Sequence, residues 1–194
     1  MRRALITAVT TVTLLGACSF GGDDPPSGGS LGAVEDVVDT GGLPQSCDEL
    51  VTALSVAAAL NGEPLGGRSA AYTPPNPATG AVAGMTCGVG VGAGQPAVTV
   101  EAVAYGEPEQ AADQFAAITK AARKQAASQE SVEVRGAPGL LVRSAGSAAC
   151  YVLDGRRTLR ITASGAAVAA DEAPDVLLEL AQTVADGISS IEPQ

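Results

Sequence analysis

The chain contains no histidine and no tryptophan, and its aromatics are three Tyr and two Phe. Without imidazole there is no His metal ligand, no Ser–His or Cys–His pair to activate a nucleophile, and no ordinary side-chain switch near neutral pH. With so few aromatics, the core must be built from Ala, Val and Leu, which bury less area per residue. Basic residues are also scarce, 11 against 21 acids, for a formal charge of −10. An acidic surface opposes nucleic acid and anionic lipid head groups, so no nucleic-acid partner is expected. A long apolar run is missing too. The uncharged apolar run Ala4 to Ala17 rises about 21 Å as a helix, short of the roughly 30 Å of bilayer hydrocarbon.

What is present at the N-terminus has a different logic. Met1-Arg2-Arg3 is a short basic start, Ala4 to Ala17 an apolar stretch, and small residues follow at its end, the pattern of a secretory signal over residues 1–17. Leu15-Gly16-Ala17-Cys18 resembles the lipobox of bacterial lipoproteins. In that class the thiol is acylated and the signal peptidase cuts before it. The resemblance implies cleavage between Ala17 and Cys18, lipid on Cys18, and a chain held on the outer face of the cell membrane. Two or three acyl chains, at about 0.8 kcal/mol per buried methylene, give the lasting anchorage that a single chain does not. Losing Arg2 and Arg3 with a segment that carries no acid takes the formal charge from −10 to −12.

Composition changes abruptly after Cys18. Gly, Ser, Pro and acidic residues dominate to Gln45, which predicts a lipidated N-terminus and linker over residues 18–45. A flexible stretch of that length spans roughly 26–31 Å r.m.s.. A folded domain is expected over 46–194. Ser46 with Glu49 three residues on reads as a capping box opening a helix that carries Leu50, Leu54, Ala57 and Ala58 and stops at Asn61-Gly62. The Gly/Pro-rich excursion from Pro64 to Thr79 reads as loop with room for one short edge strand. Strands are predicted at Met85–Val91 and Ala97–Tyr105, the latter alternating Val98, Val100, Ala102 and Ala104 with Thr99, Glu101 and Val103.

A second helix is predicted from Glu107-Pro108 to about Ala127, burying Ala111, Phe115, Ile118 and Ala122, with Lys120, Arg123 and Lys124 late in it. Strands follow at Ser131–Arg135, Gly139–Ser144, Ala148–Leu153 and Thr158–Ala163, the last two joined by the Asp154-Gly155 turn. A final helix from near Asp171 carries the stripe Leu177, Leu180, Ala181, Val184, Ile188 and Ile191. The order αββαββββα with short hairpin connections argues an α+β fold: an antiparallel sheet of about five to six strands packed against three helices.

Three cysteines remain after Cys18. A secreted chain favours at least one disulfide among Cys47, Cys87 and Cys150. Cys47–Cys87 is the preferred pairing, Cys87–Cys150 the alternative, and a leftover Cys150 on an apolar strand reads as buried and inert. Gly88-Val89-Gly90-Val91-Gly92-Ala93-Gly94 lacks the strand-to-helix context and the Lys-Ser/Thr of a phosphate loop, and fits a closely packed strand better. Arg156, Arg157 and Arg160, with Arg143 placed nearby, are the candidate contacts for an acidic partner or ligand. The paired acids Asp171-Glu172 and Glu107/Glu109 are helix-start residues. No metal, cofactor or catalytic residue is assigned.

Together with the lipobox and the acidic spacer, Pro44-Gln45-Ser46-Cys47-Asp48-Glu49-Leu50 and Met85-Thr86-Cys87-Gly88-Val89 resemble small actinobacterial surface lipoproteins of the domain-of-unknown-function 3558 family. The position two past the second Cys, often aromatic in that family, is Val89 here. The resemblance spans about Leu43 to Ile191 and implies a Cys47–Cys87 bridge and an extracytoplasmic location, with no activity attached. Three functions stay open on these residues. One is a non-catalytic interaction module contacting an envelope protein or cell-wall component, another a carrier of a small apolar or lipid ligand, and the third a surface thiol enzyme using Cys150.

Overall fold

A computed structural model of the chain describes residues 42–62, 66–90 and 96–189. Cys18, the segment before it, nearly all of the spacer and Ile191 lie outside the described residues. Two short helices open the fold, α1 at Cys47–Leu50 and α2 at Ala53–Ala59. Strands β1 (Arg68–Thr73), β2 (Ala81–Val89) and β3 (Val98–Tyr105) follow, then α3 (Pro108–Gln125). Strands β4 (Ser128–Val134), β5 (Ala137–Ser144), β6 (Ser147–Asp154) and β7 (Arg157–Ser164) lead to α4 (Ala173–Ser189). All seven strands form one antiparallel sheet in the order β1-β2-β3-β7-β6-β5-β4. Two meanders, of three and four strands, therefore meet where β7 returns beside β3.

The α+β class and the antiparallel sheet agree with the sequence reading, with one strand more than expected. That strand is β1, from within the stretch read as mostly loop. Its six residues are all exposed, so hydrophobic alternation has nothing to mark, and Tyr72 remains 62% accessible. Pairing with β2 from Arg68↔Val89 to Thr73↔Gly84 holds it instead. The Tyr72 hydroxyl donates to the Gln45 carbonyl at 2.6 Å, and Arg68 pairs with Asp48 of α1.

The first expected helix is broken in two. Ser46 caps α1 as predicted, accepting from Glu49 N at 3.3 Å, but the Glu49 carboxylate takes the Gln45 N–H at 3.0 Å rather than closing a box on Ser46. Val51 is extended, and Thr52 starts α2 with a reciprocal Thr52–Ser55 capping box. The break rotates the buried face. Val56, Ala57 and Ala59 turn inward, whereas Leu54, expected in the core, is 70% exposed.

Strand alternation sorts the sheet into two unequal faces. One carries Val98, Val100, Cys150, Val152, Leu159 and Ile161 against α1, α2 and α4, with Leu177, Leu180, Val184 and Ile188 of α4 fully buried. Leu43 and Pro44, at the end of the stretch that composition reads as linker, are buried as well, Leu43 within this core. The other face carries Leu140, Val142, Ala149 and Tyr151 under α3, whose Phe115, Ile118 and Ala122 are only partly buried. Pro108 at its first turn and a Glu107–Gln110 capping box start α3, as Pro near the first helical position predicts. Ala111 and Thr119 are the buried residues of that helix, so its cover over the sheet is thin.

Candidate functional site

The cysteines separate cleanly. Cys47, at the first position of α1, is bonded to Cys87 near the end of β2, with Cα atoms 5.6 Å apart. Cys150 on β6 is free and fully buried. Burial pushes its thiol from 9.0 up to about 12, because the apolar core disfavours the thiolate. At pH 8 a thiol of that pKa is ionised in only about one molecule in ten thousand. Iodoacetamide therefore leaves the native protein unlabelled at pH 8 and modifies Cys150 promptly in 6 M guanidinium; fast native labelling would return the thiol to the list of reactive groups. The pH sign follows from the same shift. Below pH 9 the thiol is protonated in both states; above it the unfolded chain ionises first, so stability falls as pH rises from 9 towards 12. Cys150→Ala removes that part of the decline.

The three candidate arginines are not brought together. Arg157 is 6% exposed on the α4 face, 3.7 Å from Asp154, and its Nη2 lies where a Cβ on Gly42 would come within 2.6 Å. Arg156 is exposed in the β6–β7 turn and donates to the Gly106 carbonyl at 3.5 Å. Arg160 points to the opposite, α3 face. Arg143 is remote from it. It shares the α4 face with Leu141, donates from Nε to Ser128 Oγ at 2.8 Å, and reaches the Ala170 carbonyl at 3.5 Å. A single basic patch is thus not what this hairpin builds, since successive residues of a strand face opposite sides.

Arg160 belongs instead to a cleft of about 320 Å³ between α3 and the strands β3, β7 and β6. Register sets Glu101, Arg160 and Tyr151 side by side across those strands. The Arg160 guanidinium lies 3.6 Å from the Glu101 carboxylate and 5.8 Å from the centroid of the Tyr151 ring. Deeper in, Tyr105 and Thr158, 6% and 4% exposed, share a hydroxyl–hydroxyl hydrogen bond of 3.3 Å. Val103 from the sheet and Ile118 and Ala122 from α3 supply apolar walls. Sequence reasoning picked out Arg160 but passed over Glu101, Tyr105, Thr158 and Tyr151. Their polar alternation on β3 and β7 reads as an ordinary wetted strand face until the strand order is known.

Two other clefts have less chemistry. One of about 190 Å³ lies between Arg143 and the start of α4. A second, of about 250 Å³, is rimmed by Asp171, Glu172, Asp175 and Glu179. Among the described residues no cluster of three or more His, Cys, Asp or Glu is placed to hold a metal ion, and no helix is long and apolar enough to cross a membrane.

No protein-family model matches the chain, and no curated protein matches it. Among solved structures it is similar to the extracellular domain of PknH from Mycobacterium tuberculosis, at 11% identity and a TM-score of 0.44, over 71% of this chain and 93% of that one. It is also similar to a GTP-binding regulator from Thermotoga maritima, at 10% identity and a TM-score of 0.32, over 69% of this chain and 90% of that one.

Proposed function

We propose that this chain is an extracytoplasmic lipoprotein whose folded domain is a non-catalytic interaction module. A lipid on Cys18 holds it at the outer face of the cell membrane, within reach of an envelope protein or a cell-wall component. The observation that carries this reading is the use of cysteine inside the domain. A closed Cys47–Cys87 bond belongs to an oxidising compartment, and the third thiol is buried rather than offered for chemistry. That evidence is independent of the lipobox, and the two agree. The absence of histidine and the elevated thiol pKa of Cys150 both favour binding over catalysis. A lipid cargo would need an apolar chamber between sheet and helices. On the α4 face that space is filled by Leu159, Ile161, Leu177, Leu180 and Ile188, all without solvent exposure, which favours the module over the carrier.

The anchor has a direct test. Cells fed a labelled fatty acid incorporate it into the wild-type chain, which sediments with membranes. Cys18→Ser takes up none and leaves the lipoprotein-peptidase site uncut, because the cut requires the acylated thiol. Label-free wild-type protein, with the serine variant processed and released like it, overturns the proposal.

A further inference from the structure

The cleft beneath α3 holds an inventory that matches one kind of small molecule. Tyr105 and Thr158 bring two hydroxyl protons to a site where both side chains are more than nine-tenths buried, yet a single hydrogen bond joins them. Whichever oxygen donates, the other hydroxyl keeps a proton with no protein acceptor among the described residues. A buried donor left in that condition is costly unless something accepts from it. Further out, Arg160 and Glu101 face each other at 3.6 Å, both roughly half exposed. A pair so wet is held weakly, so separating it for a ligand costs little. Val103, Ile118 and Ala122 line the remainder with hydrocarbon.

We propose that this cleft binds a small zwitterion bearing an aliphatic side chain, a free amino acid or a dipeptide. Its carboxylate lies against Arg160 and takes the spare hydroxyl proton of the Tyr105–Thr158 pair. Its ammonium lies against Glu101, and its side chain rests on the Ile118 wall. The charge balance selects the class. A lone anion would satisfy Arg160 but sit beside an uncompensated Glu101, and a lone cation would strand Arg160. Only a ligand carrying both charges replaces what each partner gives up. The volume, about 320 Å³, lies at the low end for ligand sites and suits a molecule of this size. The site does not depend on the lipid anchor, so either can fail alone.

The chain reports on its own cleft. It has no Trp and three Tyr, two of which line the site, so tyrosine fluorescence reads occupancy, and Tyr72→Phe removes the one outside it. The full chain carrying Tyr72→Phe is titrated with leucine, N-acetyl-leucine and leucinamide, each to roughly 50 mM. Leucine gives a saturable change, and each singly charged derivative binds at least about tenfold more weakly. Glu101→Gln brings N-acetyl-leucine level with leucine, and Arg160→Gln does the same for leucinamide. No saturable change, an equal response to all three, or tighter binding of either singly charged derivative than of leucine refutes the zwitterion assignment.

Discussion

Replacing Cys47 and Cys87 together by alanine lowers the unfolding free energy by about 3–4 kcal/mol. The bond closes a loop with a sequence separation of 40. For a loop of that length, restricting the unfolded chain is worth roughly 4 kcal/mol on the entropic account, with native bonds of small secreted domains typically giving 2–5. The other ties at this corner are local: the Tyr72–Gln45 hydrogen bond, the Arg68–Asp48 ion pair and the burial of Leu43 and Leu50. Helix α1 has four residues, far below the length at which a helix persists by itself, and β1 is exposed along its entire length. Urea unfolding monitored by far-UV circular dichroism checks it. The midpoint drops in the double variant and in the reduced wild type alike, while wild type with dithiothreitol omitted keeps the higher value. A variant within about 0.5 kcal/mol of wild type would show that the α1–β2 corner holds without its covalent bond.

The second large effect compares the two faces of the sheet. Leu180→Ala on α4 costs about 3–4 kcal/mol, whereas Ile118→Ala on α3 costs about 1. Leu180 has no solvent exposure and sits among Leu159, Ile161, Leu177 and Val184. Truncating it removes the transfer energy and leaves a void that rigid strands on one side and a helix on the other cannot close. Ile118 is only partly buried, beside a cleft already open to water, so its loss enlarges a space that solvent fills. Thermal or urea unfolding of both variants measures the contrast. Equal losses would mean that α3 contributes to the core as heavily as α4, against the burial of its side chains.

How far the sequence discloses this structure depends on whether an element has one dry side. Strand β3 is legible because Val98, Val100, Ala102 and Ala104 face a packed core and Thr99 and Glu101 do not. Helix α4 is legible because Leu177, Leu180, Ala181, Val184 and Ile188 recur on one stripe. Strand β1 has two wet sides, so Arg-Ser-Ala-Ala-Tyr-Thr carries no period, and only its partner strand defines it. The interruption at Val51-Thr52 escaped for a related reason. Thr52 with Ser55 forms a weaker box than the Ser/Thr-x-x-Glu/Gln pattern, and Leu54 supplies a helical spacing that the tertiary structure does not use. The cleft could not be read at all. Glu101, Arg160 and Tyr151 are neighbours only because β7 inserts between β3 and β6, a fact of strand order that no local spacing records.

The covalent corner also decides how the molecule bears tension. A pull on the N-terminal side of the chain reaches the packed core at Leu43 and meets Cys47 four residues later, where the sulfur bridge hands it to Cys87 on β2. Helix α1 is therefore bypassed as a weak link: it cannot be peeled from the end, and the strain passes straight into strands hydrogen-bonded on both sides. Drag on the N-terminal side is borne by β2, paired with β1 on one side and β3 on the other, so the chain cannot leave the fold by unwinding α1 alone.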